Sequence, residues 1–208
     1  MSSAFVRAQL RRVGAGVALA PIIVSAVLSA AGWVMATNWP LPQAMTLTTW
    51  LVQIYVICAG VCVAVAVTGD PLIELHESTV AGFRTAQLVR AGAMTVAGTS
   101  GAILLFEVLH GFDVWPRDIG WSGVLFPVGA VIFLAVISLA TAAFSGASSA
   151  TTIAVVAAWM FLAMLWDPYV LPLLPGRGIP LFFALVLAVV AWWRLGDAEQ
   201  NLRKVDAA

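Results

Sequence analysis

The sequence predicts an all-α integral membrane protein that spans the bilayer about six times. Three observations carry this reading. Of 208 residues, 62% are hydrophobic and only 10% are charged, with a mean hydropathy of +1.01, whereas an average soluble domain is about 25% charged. The apolar residues fall into six stretches near the length needed to cross about 30 Å of hydrocarbon as a helix. Between them stand clusters of proline, glycine and polar or charged residues that mark turns.

The N-terminal MSSAFVRAQLRR carries Arg7, Arg11 and Arg12. It resembles a signal peptide only in being basic, because no cleavage site or soluble domain comes after the apolar stretch. It reads as an amphipathic lead-in to the first span, residues 13–36, which the Asn38-Trp39-Pro40-Leu41-Pro42 turn ends. The second span covers 46–68 and stops at Gly69-Asp70-Pro71. A polar stretch, 70–87, separates it from the third span, 88–109. After the loop HGFDVWPRDIGWS comes the fourth span, 123–144, and Ser145 to Ser149 turns the chain into the fifth, 150–166. Asp167-Pro168 ends or breaks that helix, LPLLPGRG forms a loop, and the sixth span runs over 179–193 before a polar tail. All 208 residues form a single transmembrane domain on this reading.

Charge orients the stack, because loops on the cytoplasmic side carry an excess of Lys and Arg. With the N-terminus inside, Arg7, Arg11, Arg12, Arg84, Arg90, Arg194, Arg203 and Lys204 lie inside and only Arg117 and Arg177 outside. The arrangement predicts a multi-pass protein of the inner (plasma) membrane with both termini cytoplasmic. The tryptophans agree: Trp33, Trp39, Trp115, Trp121 and Trp166 fall near the outer interface, and Trp192 and Trp193 near the inner one.

Chemistry-bearing residues are sparse. Cys58 and Cys62 stand at i,i+4 in one apolar span and read as small core residues, since His76 and His110 both lie outside that segment and a metal needs further ligands. Neither a metal site nor a structural disulfide is expected. Glu107 is the one acid clearly inside a predicted span. A carboxylate in hydrocarbon is costly unless neutralised or paired, so Glu107 either reaches the outer interface or His110, or serves a substrate path or gate. Asp167, beside Pro168, is expected to face the outer aqueous side or cap a short helix, with a substrate contact as the alternative. The runs Gly98-Thr99-Ser100-Gly101 and Gly14-Ala15-Gly16 permit close helix approach.

The stretch from Asp70 to Gln87 is the most informative. Leu72, Leu75, Val80 and Phe83 recur with helical spacing, and Glu74, Glu77 and Arg84 stand between them, as in a short amphipathic helix along the inner interface. The pattern Asp70-Pro71-x-x-Glu74-Leu75, the turn at Ser78-Thr79, Arg84, and Arg90 opening the next span resemble the coupling-helix region of type-2 ABC exporter permeases, particularly short actinobacterial ones. Thr79-Val80 departs from the proline step usual there. The basic N-terminal segment resembles that family's connecting helix, and the span count and the tail RLGDAEQNLRK are similar to its members too.

The resemblance implies a permease subunit of an ATP-driven exporter. Asp70, Glu74, Leu75, Glu77 and Arg84 would dock into a groove on a separate ABC ATPase. That ATPase would carry ATP, consistent with the absence of a G-x-x-x-x-G-K-[ST] sequence here. A second permease subunit, identical or a paired homologue, would complete a dimer. Cargo would meet apolar and small polar side chains in spans two and five, which implies a lipophilic or amphipathic substrate. This chain would bind no cofactor and no nucleic acid, and its partners would be the ATPase, the second permease subunit and the bilayer. The competing classes are an accessory membrane subunit without transport of its own, a secondary carrier, and a membrane enzyme. The enzyme reading lacks an acid–base constellation, and the carrier reading lacks a sequence repeat between halves.

Overall fold

A computed structural model describes residues 3–68, 82–116 and 119–197. Among these residues the fold is all-α, and six helices are long and apolar enough to cross a membrane. The order is α1 (Ser3–Val13), α2 (Ala15–Asn38), α3 (Leu41–Val67), α4 (Gly82–Gly111), α5 (Leu125–Ser145), α6 (Ser148–Met160) and α7 (Leu173–Leu195). A 3₁₀ turn, Ser122–Val124, leads into α5, and a π-helical turn, Phe161–Trp166, extends α6.

The short α1 turns Arg7, Arg11 and Arg12 outward and buries Gln9 against α4, where Arg90 Nε donates to Gln9 Oε1 at 2.8 Å. Gly14 separates α1 from α2 at φ +86°, a left-handed conformation that a side chain would strain. The two helices are therefore distinct elements, as expected of an amphipathic lead-in to a span. In α2 the buried positions are Pro21, Ser25, Ser29 and Gly32. This narrow small-residue stripe lets α2 lie close on α3 and α4, and Ser25 Oγ donates to the Gly101 carbonyl at 2.6 Å.

The fourth span is the centre of the bundle: α5 packs against α3, α4, α6 and α7. One apolar cluster includes Tyr55, Leu105, Phe106, Leu109, Leu134 and Val155, and reaches Trp115 at one end. A second includes Val63, Phe83, Met94, Ala143 and Leu195 toward the opposite end. Lipid is as apolar as leucine, so close fit and interhelical hydrogen bonds, rather than water exclusion, hold such clusters together. Tyr55, fully buried, supplies one of these bonds by donating to the Gly98 carbonyl at 2.5 Å.

The two ends of the bundle differ in chemistry. At one end Arg84 lies over the Trp192 ring at 4.4 Å, Arg194 over Phe144 at 6.0 Å, and Arg90 against α1. At the other end His110, Trp115 and Trp121 cluster around Phe106.

Several helices are longer than their predicted spans. The third helix begins at Leu41 rather than near 46, because Pro42 sits in a first turn where its missing N–H breaks no intrahelical bond. The helix carrying the third span begins at Gly82, so residues 82–87 of the predicted coupling segment are its first turns. The final helix begins at Leu173, so most of LPLLPGRG is helical rather than a loop, and Pro180 is accommodated inside it. Asp70, Glu74, Leu75 and Glu77 lie outside the described residues, and of the predicted coupling segment only residues 82–87, with Arg84, are described.

Candidate functional site

The earlier start of α7 brings Arg177 onto the helix and into the bundle, in place of the outer loop expected from sequence. Its side chain is committed in four directions. Nε donates to the Phe126 carbonyl at 2.8 Å, Nη1 to Asp167 Oδ1 at 2.5 Å and to the Gly176 carbonyl at 3.2 Å, and Nη2 to Asp167 Oδ2 at 2.8 Å. Asp167 and Arg177 are 8% and 5% exposed. The expectation that Asp167 faces the outer aqueous side is therefore corrected: the carboxylate is buried in a two-pronged ion pair.

The π-helical turn makes that pairing reachable. The Asp167 N–H bonds back to the Leu162 carbonyl at 2.8 Å, a five-residue step that adds a residue to the turn and redirects the chain toward α7. Trp166 Nε1 donates to the Gly176 carbonyl at 2.9 Å, so two adjacent residues fasten the end of the fifth span to the first turns of α7. Gly129 on α5 leaves room for the Arg177 stem, since a Cβ there would stand 3.0 Å from Arg177 Cδ.

The ion pair forms one wall of a cavity of about 610 Å³. From α3 come Thr46, Thr49, Trp50, Val52, Gln53 and Val56. Trp115 and Pro116 precede α5, which itself contributes Phe126, Pro127 and Ala130. Ala163, Met164, Asp167 and Pro168 close the far side. Thr46, Thr49 and Trp50 on one edge and Met164 and Pro168 on the other are exposed, so the cavity is a groove open sideways between spans two and five. Its back is fixed by Trp159 Nε1, which donates to the Gln53 carbonyl at 3.0 Å, and by Thr48 Oγ1, which donates to the Val114 carbonyl at 2.7 Å.

Groove polarity is graded along α3. Thr46, Thr49 and Gln53 stand at i, i+3 and i+7, on one helical face. Thr46 Oγ1 donates to the Pro42 carbonyl at 2.8 Å and Thr49 Oγ1 to the Met45 carbonyl at 3.0 Å. These backbone bonds use the hydroxyl hydrogens, and the oxygen lone pairs remain as acceptors. The Gln53 side-chain amide adds both donors and an acceptor to the same face. Val56, about 15 Å along the helix from Thr46 by helical rise, ends the lining in apolar surface.

The sequence-derived sites are dispersed. Glu107 is exposed on α4, contributes nothing to the groove lining and makes no ion pair among the described residues. His110, one of its expected contacts, stacks instead on Phe106 at 5.1 Å between ring centroids and meets Trp121 edge-on. Arg84 lies over Trp192 at the opposite end of the bundle from the groove. Cys58 and Cys62 are free thiols within α3, and among the described residues no three His, Cys, Asp or Glu side chains converge to hold a metal. Two features of the sequence mark the groove, although the sequence-derived sites do not include it: Thr46, Thr49 and Gln53 share one helical face within an apolar span, and Asp167 stands ten residues before Arg177.

No family model matches this chain, and neither a curated protein nor a solved structure is significantly similar to it.

Proposed function

We propose that this chain is the membrane permease subunit of an ATP-driven ABC exporter, lying in the plasma membrane with both termini cytoplasmic. A separate ATPase supplies the energy, and a second permease subunit completes the path for a lipophilic or amphipathic cargo. The observation that carries this reading is the lateral groove between spans two and five. It offers about 610 Å³ lined by apolar side chains together with Thr46, Thr49 and Gln53, a mixture that suits an amphipathic molecule entering from the lipid.

Two further features support the reading. Asp167 and Arg177, the formal charges among the described lining residues, are held in one buried ion pair, so the groove wall is close to neutral, as suits a lipophilic or amphipathic cargo. Arg84, Arg90 and Arg194 are held at the end opposite the groove, which by the positive-inside rule supports a cytoplasmic orientation of that end, the side on which an ATPase would act. Large exposed side chains on α6 and α7, among them Ile153, Phe182, Phe183 and Leu185, offer surface to lipid or to a second subunit.

Affinity purification of the tagged chain in mild detergent tests the proposal. A P-loop ATPase should copurify in stoichiometric amount and be lost from the Glu74→Arg, Glu77→Arg double variant. Absence of any ATPase across several mild detergents would leave an accessory subunit or a secondary carrier as the better description.

A further inference from the structure

The chemistry of the groove wall is specific enough to choose among amphipathic ligands. Among the described lining residues the only formal charges are Asp167 and Arg177, and they cancel within one ion pair. The guanidinium spends its N–H groups on the Asp167 carboxylate and two backbone carbonyls, so little is left to attract an anion. A cation finds its natural partner, the Asp167 carboxylate, already occupied on both oxygens. The polar groups that remain are the acceptor lone pairs of Thr46 and Thr49 and the side-chain amide of Gln53. This set rewards a ligand that donates hydrogen bonds without carrying charge.

We infer that the groove binds a neutral amphiphile with a hydroxyl- or amide-bearing head, held by Thr46, Thr49 and Gln53, and an apolar body running toward Val56. The volume of about 610 Å³ suits one such molecule, since small-ligand sites span roughly 300–1,000 Å³. The direction is set by the gradient along α3. The threonines lie in the first turns of the helix, where a head group meets water, and the apolar lining continues toward the middle of the span. The sideways mouth admits such a molecule from the lipid. Calling it the exporter's cargo rests on the permease reading, whereas its binding does not.

The test uses the full chain in phosphatidylcholine nanodiscs with three photoactivatable probes of equal chain length: a diazirine-bearing monoacylglycerol, the corresponding fatty acid and the corresponding alkyl-trimethylammonium. Labelled peptides are mapped by mass spectrometry. The monoacylglycerol should mark residues 46–56 and 163–168 in preference to both charged probes. The Thr49→Val, Gln53→Leu double variant, which keeps volume and removes hydrogen bonding, should reduce that labelling about tenfold, the equivalent of about 1.4 kcal/mol. Thr49→Ser retains the acceptor and should label like the parent, which separates lost recognition from misfolding. Preference for either charged probe, or labelling unchanged in the double variant, would overturn the inference. Labelling needs no ATPase, so selective labelling without a copurifying ATPase removes only the exporter reading. A copurifying ATPase with unselective labelling removes only the neutral-amphiphile site.

Discussion

Arg177 and Asp167 meet through two parallel N–H···O bonds, 2.5 and 2.8 Å long, across a ten-residue separation that joins the end of the fifth span to the start of the sixth. Removing one partner from a buried pair strands the other charge, at a cost of about 3–5 kcal/mol. Asp167→Asn is therefore expected to lower stability by about that amount in equilibrium unfolding in mixed micelles. Replacing both partners by apolar residues, Asp167→Leu with Arg177→Met, should recover most of the loss. Equal damage in the single and double variants would mean that the pair's geometry, and not its charge balance, is what the bundle needs.

Tyr55 gives a smaller and cleaner test. Its hydroxyl donates to the Gly98 carbonyl between fully packed helices, and such bonds within membranes are worth about 0.6–2 kcal/mol. Tyr55→Phe should destabilise the chain within that range and leave its helix content unchanged by circular dichroism.

Glycines on the same helix should respond oppositely to alanine. A Cβ on Gly101 would collide with the Tyr55 hydroxyl and stand 2.9 Å from the Pro21 carbonyl oxygen, which is backbone and cannot swing away. Gly101→Ala should therefore cost about 1–3 kcal/mol by overpacking. Gly92 is exposed with open space where its Cβ would be, and alanine there should be neutral or stabilise by roughly 0.5–1 kcal/mol through helix propensity. Thermal denaturation of the two variants side by side reads both signs.

The spans were legible in sequence because apolar length is a direct consequence of bilayer thickness, and each of the six has its helix. The helix starts at Leu41 and Leu173 were not, because Pro42 and the prolines around Gly176 suggest breaks when read as residue types. Proline in a first turn breaks nothing, and only the packed structure shows which turn is first. That difference of a few residues moved Arg177 from an outer loop to a buried wall and left Asp167 with a partner ten residues away. Glu107 drew attention as an acid in a span, but charge alone does not say which face of a helix it occupies, and it lies away from the groove. Conversely Thr46, Thr49 and Gln53 carry no charge and were passed over, although their spacing places them on one face.

Whether cargo passes through the groove is decided by uptake into inverted membrane vesicles. The readout is ATP-dependent, vanadate-sensitive accumulation of a fluorescent neutral amphiphile, compared between the parent chain and Ala163→Trp, which fills the groove from its far side. Accumulation is expected in the parent and should be lost in Ala163→Trp while ATPase copurification is retained. If accumulation persists in Ala163→Trp, or is driven by a proton gradient without ATP, the groove is not the path of an ATP-driven exporter.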